Sequence, residues 1–307
     1  MGEAVFSRSI PTSDADALCC EWEASDELFT FAGPAVWYTA EPRENPRYGV
    51  QMFERWRSAV ARARPEQLLF PAQPDPHLRV PHVTHRLLNG RPRFTTYDGR
   101  RTARAVAVIT NAGGAAADRW ADVVLRNRFA TAGGVHLYGP QWAWKDYHSI
   151  FGRISWRPQS YRGELADAYR ACGLGDPSPG AITSLNTTKY EVCARYHAAI
   201  CLENFVEPFY FSEKFVDAVL SDCVPIYHAH PTVRDGVLRG ASWIDPADHG
   251  MSVRRTIAAA LAADRIEIAA RNRAWLVSPA ARETEWTSVW ARIAEVLRKQ
   301  HGVRSPG

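Results

Sequence analysis

Residues 198–229, AAICLENFVEPFYFSEKFVDAVLSDCVPIYHA, combine the signals of a strand, a loop, a helix and a second strand. The apolar run at 199–202 is typical of a buried parallel strand, and 224–227 has the same character. Between them, Ser212 is a suitable N-cap for a helix over 213–220, whose apolar residues recur at helical spacing. The stretch therefore predicts an α/β unit in which the end of a strand and the start of a helix face one crevice.

The expected start of this helix suits an anionic ligand. Unpaired backbone N–H groups and the helix dipole favour negative charge there, and Lys214 adds a full positive charge. Asn204, Tyr210 and Glu213 can offer hydrogen bonds to a neutral part of the same ligand. This combination is the outline of a site for a nucleotide-sugar diphosphate. The alternative is an ordinary α/β unit whose capped helix carries Glu and Lys in its first turn.

The order and spacing of several short motifs resemble the donor-binding region of the α-1,3/4-fucosyltransferases, glycosyltransferase family 10. The family pattern is close to F-E-N, then Y-V-T-E-K, then A-V-P-I-Y, then S-F-I. The corresponding segments of this chain are 202–204, 210–214, 223–227 and 242–244. The resemblance is to the bacterial soluble type of the family. It implies an inverting glycosyltransferase with a nucleotide-diphosphate donor, GDP-linked, that carries fucose or a related sugar.

The resemblance also implies the GT-B fold, an α/β architecture in which two Rossmann-like domains face each other across a cleft. Residues 1–98 would form the N-terminal, acceptor-side domain, and 99–280 the C-terminal, donor-binding domain. Residues 281–307 would form a C-terminal helix that packs back on the first domain. Strand patterns at 35–39 and 105–109, each followed by a helix pattern and another strand, are compatible with this division.

Glu41 is the candidate catalytic base. It follows the strand pattern at 35–39, at the carboxyl end where open α/β sheets place their functional groups. The resemblance implies the role, because the family carries a glutamate just after a strand in similar contexts. Glu44, in the same Pro-rich loop, is the competing candidate. The alternative for Glu41 is a solvated loop carboxylate or a helix-capping residue.

Arg119 is the candidate partner of Lys214 at the donor diphosphate. The family has an arginine that opens the helix after the first strand of the donor-binding domain, and Arg119 matches it. The resemblance thus implies that Arg119, Lys214 and Ser212 contact the diphosphate. The alternative is an exposed helical arginine that pairs with Asp118 or Asp122.

The mechanism that the resemblance implies is a single displacement. Glu41 would take the proton of the acceptor hydroxyl as the oxygen attacks the anomeric carbon. Arg119, Lys214 and the amides at 212 and 213 would stabilise the charge that builds on the departing diphosphate. The other polar residues of the motif would hold ribose, phosphate or sugar hydroxyls: Asn204, Tyr210 and Glu213.

No metal or other cofactor is expected, because cationic side chains would take the place of a metal. The D-x-D letters at 14–16 lie in a polar N-terminal stretch, far from the donor motif. His228 and His230 form an H-x-H pair, but the sequence supplies no further ligands beside them.

Composition excludes several other classes. The net charge of +4, from 37 basic and 33 acidic residues, suits a phosphorylated donor, and no Lys/Arg block predicts a nucleic-acid partner. The sequence contains no run of 18 apolar residues, so no membrane span is predicted, and the N-terminus has no apolar signal core. The six cysteines form no C-x-x-C pair and fit free thiols in a reducing compartment, so the expected location is the cytoplasm.

The chain also departs from the family. The first domain is short, residues 211 and 212 are Phe-Ser where Val-Thr is usual, and His228 is unusual. The donor sugar is therefore left open, and the acceptor is a saccharide or a small metabolite. The alternative from another functional class is a non-catalytic sugar-nucleotide or glycan-binding protein of the same fold. The nucleotide base, the linkage and the oligomeric state are left open as well.

Overall fold

The computed structural model describes residues 18–21, 35–38, 68–69, 94–95, 97, 99–109, 121–130, 132–138, 192–208, 210–284, 288, 291 and 294–295. Within these ranges the chain contains two parallel sheets. The described strands of the first sheet are β1 (Leu18–Glu21), β2 (Ala35–Tyr38) and β3 (Leu68–Leu69), in the order β1-β2-β3.

The second sheet includes the two strands that the sequence predicts within 198–229. Its described strands are β4 (Thr102–Val108), β5 (Val135–Tyr138), β6 (Tyr196–Ile200) and β7 (Val224–Ile226), in the order β5-β4-β6-β7. The chain passes from β4 to β5 on one side and then returns to place β6 on the other side of β4. The strand order therefore reverses between β4 and β6, which makes their carboxyl ends a topological switch point.

The described helices lie between the strands of the second sheet or follow its last strand. The α-helices whose bounds lie within the described residues are α1 (Ala121–Ala130), α2 (Glu213–Leu220), α3 (Pro231–Arg234), α4 (Val253–Ala262), α5 (Arg265–Leu276) and α6 (Pro279–Arg282), with a 3₁₀-helix at Pro246–His249. Helix α2 has the bounds that the sequence predicts, and its N-cap is Ser212, whose side chain accepts from the amide of Lys214. None of the described helices combines the length and the apolar character needed to cross a membrane.

Helices cover both faces of the second sheet. On one face, Phe215 of α2 and Trp275 of α5 pack with Val106 of β4. On the other face, Phe129 of α1 and Ile257 of α4 pack in a separate buried cluster with strand residues. Strands buried on both faces are typical of parallel sheets. The predicted α/β class is confirmed, and the facing of two domains across a cleft stays a prediction.

Candidate ligand-binding site

A pocket of about 200 Å³ lies at the switch point, where the ends of β4 and β6 meet the first turn of α2. Open α/β sheets bind their ligands at this position, outside the carboxyl ends of the strands. Its polar lining comes from α1, the segment after β6, and α2: Arg126, Asn204, Glu213, Lys214 and Asp217. Three of these residues, Asn204, Glu213 and Lys214, are ones that the sequence predicts for the donor site.

Glu203 and Asn204 follow β6 and lie on opposite faces of the sheet. Cys201 belongs to the buried cluster on the α2 face, whereas Ile200 and Leu202 belong to the cluster on the α1 face. The same alternation brings Glu203 against α2 and Asn204 against α1. Two consecutive residues therefore serve the two sides of the pocket.

The carboxylate of Glu203 is the centre of the network on the α2 side. Glu203 is only 2% exposed, and it accepts from the amide of Ser212 at 2.9 Å and from the Ser212 hydroxyl at 2.6 and 2.7 Å. It also accepts from the hydroxyl of Tyr227 at 2.9 Å and from Nζ of Lys214 at 3.2 Å. A buried carboxylate requires partners of this kind to offset the loss of hydration. Glu203 belongs to the motif at 202–204, but the sequence alone assigns no role to it.

Lys214 brings a positive charge to the pocket, and two carboxylates hold it in place. Its side chain is 23% exposed, and Nζ lies 3.2 Å from Oε2 of Glu203 and 3.7 Å from Oε1 of Glu213. Burial lowers the pKa of the Lys214 ammonium, but the two carboxylates raise it by more, so the pKa lies above its ordinary value. The ammonium is therefore charged throughout the physiological range.

Ser212 and Tyr210, two residues that the sequence predicts for the donor site, are buried. Ser212 is 1% exposed and donates both its amide and its hydroxyl to Glu203, whereas the sequence analysis directed that amide at the diphosphate. Tyr210 is buried, and its amide donates to the carbonyl of Glu207 at 3.2 Å. Neither side chain borders the pocket as the described residues form it.

Arg126, like Asp217, is a polar pocket residue that the sequence prediction missed. It lies in α1, is 2% exposed, and donates to the side-chain oxygens of Asn127, at 2.9 Å from Nη2, and of Asn204. The available signal was its spacing, because Arg126 shares a helical face with the buried residues Val123 and Ala130. A charged residue on the apolar face of a helix indicates a buried polar contact.

The predicted residues Glu41, Glu44 and Arg119 lie outside the described residues. Their assignments as the base and as a diphosphate ligand stay predictions. The parts of the chain that the structure describes contain no cluster of three or more side chains that could hold a metal ion.

The H-x-H pair divides into two separate contacts. Nδ1 of His228 lies 2.8 Å from Oδ1 of Asp245, and this hydrogen bond raises the pKa of His228 above its ordinary value. Nδ1 of His230 accepts from the amide of Thr232 at 3.2 Å and caps α3. Asp245 also caps the 3₁₀-helix, by accepting from the amide of Ala247 at 2.9 Å. Each histidine thus has a structural partner of its own.

No protein-family model and no curated protein matches the chain. It is similar to a solved α1,3-fucosyltransferase at 14% identity and a TM-score of 0.40, over 95% of this chain and 81% of that one. A solved α1,3-fucosyltransferase with GDP is similar at 13% identity and a TM-score of 0.38, over 95% of this chain and 81% of that one. A solved α1,3-fucosyltransferase with GDP-fucose is similar at 14% identity and a TM-score of 0.33, over 84% of this chain and 58% of that one. These TM-scores are too low to assign a fold or an activity.

The lining of the pocket defines its chemistry. The guanidinium of Arg126 and the ammonium of Lys214 can bind an anion. The amide of Asn204 and the carboxylate of Glu213, which is 34% exposed, can hydrogen-bond hydroxyl groups. The site therefore suits a ligand that carries both an anionic group and hydroxyl groups.

Proposed function

We propose that the chain is a glycosyltransferase that uses a nucleotide-diphosphate sugar, GDP-linked, as its donor. The sugar is fucose or a related sugar, and the acceptor is a hydroxyl group of a saccharide or a small metabolite. The observation that carries this proposal is that Asn204, Glu213 and Lys214 line one pocket at the switch point of the second sheet. These are three of the residues that the motif resemblance singles out for the donor.

The proposed reaction is an inverting displacement in a GT-B arrangement of residues 1–98 and 99–280. Glu41, with Glu44 as the alternative, accepts the proton of the acceptor hydroxyl as its oxygen bonds to the anomeric carbon. The bond from that carbon to the diphosphate breaks, and its electron pair leaves with the diphosphate. Arg119 and Lys214 stabilise the charge that develops there, so no metal or cofactor takes part in the proposal.

A thermal-shift measurement on the purified chain, without metal, tests the donor site against GDP, UDP, ADP, dTDP and CDP. A ligand that binds only the folded state raises the melting temperature as its concentration exceeds Kd. We expect GDP alone to produce a shift, and Lys214→Ala to reduce it. Arg254→Ala, which removes an exposed cation from α4, is the matched control and should leave the shift unchanged.

The other outcomes are equally decisive. A shift with a different nucleotide is compatible with the proposed transferase but rejects guanine as the base of its donor. Absence of a shift with every nucleotide, for a folded chain, contradicts the proposed donor site. Binding of GDP without release of GDP from GDP-fucose, across a panel of saccharide acceptors, favours the sugar-nucleotide binding protein instead.

A further inference from the structure

Two cations approach the same pocket from opposite faces of the second sheet. Arg126 belongs to α1, on one face, and Lys214 belongs to α2, on the other. Both line the pocket, and the positive charge of Arg126 acts to lower the pKa of Lys214. Glu203 and Glu213 offset the charge of Lys214, and the guanidinium of Arg126 adds a second positive group to the wall of the same pocket.

The side chain of Arg126 is oriented rather than mobile. Its Nε and Nη2 donate to Oδ1 of Asn127 at 3.2 and 2.9 Å, and its Nη1 donates to Oδ1 of Asn204. These contacts hold the plane of a guanidinium that is 2% exposed at the wall of the pocket. A planar, preorganised guanidinium is the group that best matches the oxygen atoms of a phosphate.

We propose that Arg126 is a phosphate-binding residue that, together with Lys214, clamps the pyrophosphate group of a nucleoside diphosphate at the switch point. The inference rests on the proposed function and deepens it, because it assigns the described pocket to one part of the donor. The pocket of about 200 Å³ is smaller than the roughly 300–1,000 Å³ typical of sites that enclose whole drug-sized ligands. It therefore fits the pyrophosphate rather than the complete sugar nucleotide.

Asn204 acquires a positioning role in this arrangement. It lies in the motif that the sequence analysis assigned to the donor, and its Oδ1 accepts from Arg126. Its amide thus links the guanidinium of α1 to the segment that follows β6. Replacing Asn204 with Ala should weaken the binding of GDP and of free pyrophosphate, because the guanidinium loses one of its orienting contacts.

Isothermal titration of the full chain with guanosine, GMP and GDP tests the assignment. We expect Arg126→Gln to weaken GDP binding about ten- to a hundredfold, the loss typical of a charge-assisted hydrogen bond, and to leave guanosine binding unchanged. Arg128→Gln removes an exposed arginine from the same helix, so its GDP affinity should equal that of the wild type. A folded Arg126→Gln chain that binds GDP as the wild type does would overturn the inference.

Because Arg126 is buried, two further measurements avoid dependence on that variant. Arg126→Lys retains the charge but not the planar fork, and we expect it to bind GDP with an affinity between those of Arg126→Gln and the wild type. In the wild-type chain, pyrophosphate should displace GDP and shift the side-chain Nε–H resonance of Arg126. Displacement of GDP without any change in that resonance rejects Arg126 as a ligand residue.

The failure of this inference is distinguishable from failure of the proposed function. If the wild type binds GDP but pyrophosphate does not compete, the pocket is not the pyrophosphate site, although the donor proposal stands. If the wild type binds none of the nucleoside diphosphates, both are overturned.

Discussion

The hydroxyl of Tyr227 donates a hydrogen bond to Oε1 of Glu203 across 2.9 Å, and both side chains are buried. Tyr227 follows β7 directly and Glu203 lies shortly after β6, so this bond joins the ends of two neighbouring strands. The same carboxylate holds Lys214 at the pocket. The position of the pocket's ammonium group is therefore set by a buried network, in which hydrogen bonds strengthen one another.

Tyr227→Phe should lower the free energy of unfolding by about 1.5–3 kcal/mol, the usual worth of a hydrogen bond to a charged group. Burial and the nearby Glu203 carboxylate raise the pKa of Tyr227, so its hydroxyl remains a donor. The substitution keeps the ring and its edge contacts with Phe211 and Phe215. Urea unfolding provides the measurement, with Tyr97→Phe, at a half-buried position, as the control. Equal effects of the two substitutions would contradict the role of the buried bond.

Glu203→Ala should cost about 3–5 kcal/mol of unfolding free energy, because the Lys214 ammonium and the Tyr227 hydroxyl lose a buried acceptor. Glu203→Gln keeps the shape and one acceptor oxygen, so its cost should be smaller. In this variant the pKa of Lys214 should fall, since burial lowers that pKa and the main opposing carboxylate is gone. Denaturant unfolding and ¹³C NMR of the lysine measure the two effects.

The control for Glu203 is Glu267→Gln. Glu267 forms an exposed i,i+4 pair with Arg271, at 2.6 Å, and such pairs contribute about 0.3–0.5 kcal/mol. A Glu203→Ala variant no less stable than this control would show that the network contributes little.

The pair of His228 and Asp245 should make stability depend on pH. The hydrogen bond to Asp245 raises the pKa of His228 in the folded chain, despite the opposing effect of burial. The stabilisation is thus fully present below the unfolded pKa of about 6.5 and is lost as the pH rises through the folded value.

His228→Gln should therefore destabilise the chain by about 1–2 kcal/mol below pH 6.5, with a smaller loss at higher pH. Asp245→Asn should remove the same pH-dependent part of the unfolding free energy. Unfolding free energies measured between pH 5.5 and 9 provide the test. A difference between wild type and His228→Gln that does not vary with pH would refute the assignment.

Asp222 connects α2 to β7 in the left-handed backbone region, with φ at 52°. Its carboxylate pairs with Arg273, and its carbonyl accepts from Arg265 at 3.1 Å. Asp222→Ala should be less stable than Asp222→Gly by about 1 kcal/mol, because glycine adopts positive φ without a steric penalty and alanine does not. Thermal unfolding of the two variants measures the difference. The reverse order would show that this conformation carries no penalty.

Helix α2 is predictable from sequence because its determinants are local. Ser212 caps it, Phe215 and Val219 lie on its buried face, and the predicted bounds of 213–220 are those observed. The bounds of the strand before α2 are not predictable from local sequence. The apolar run predicts 199–202, whereas β6 is Tyr196–Ile200, since pairing with β4 begins at Tyr196. That partner is distant in sequence, and periodicity alone carries no information about it.

The same contrast between local and tertiary determinants applies to the residues of the candidate site. Asn204, Glu213 and Lys214, which the motif assigns to the donor, line one pocket, and their contact with a donor stays a prediction. The role of Glu203 depends on its hydrogen bond to Tyr227, which follows another strand. The role of Arg126 depends on the packing of α1 against the segment after β6. Both were missed because their partners are brought together only by the tertiary fold.

The bonds between Glu203 and Ser212 close a loop whose ends lie nine positions apart in the chain. Closure of this kind fixes both ends independently of what lies between them, and lengthening a loop costs little once its ends are joined. The half-buried residues Val206 and Pro208 within this loop can consequently be exchanged by design without displacing the strand end or the helix start. In such chimaeras, selectivity for the ligand could be altered separately from the stability of the scaffold.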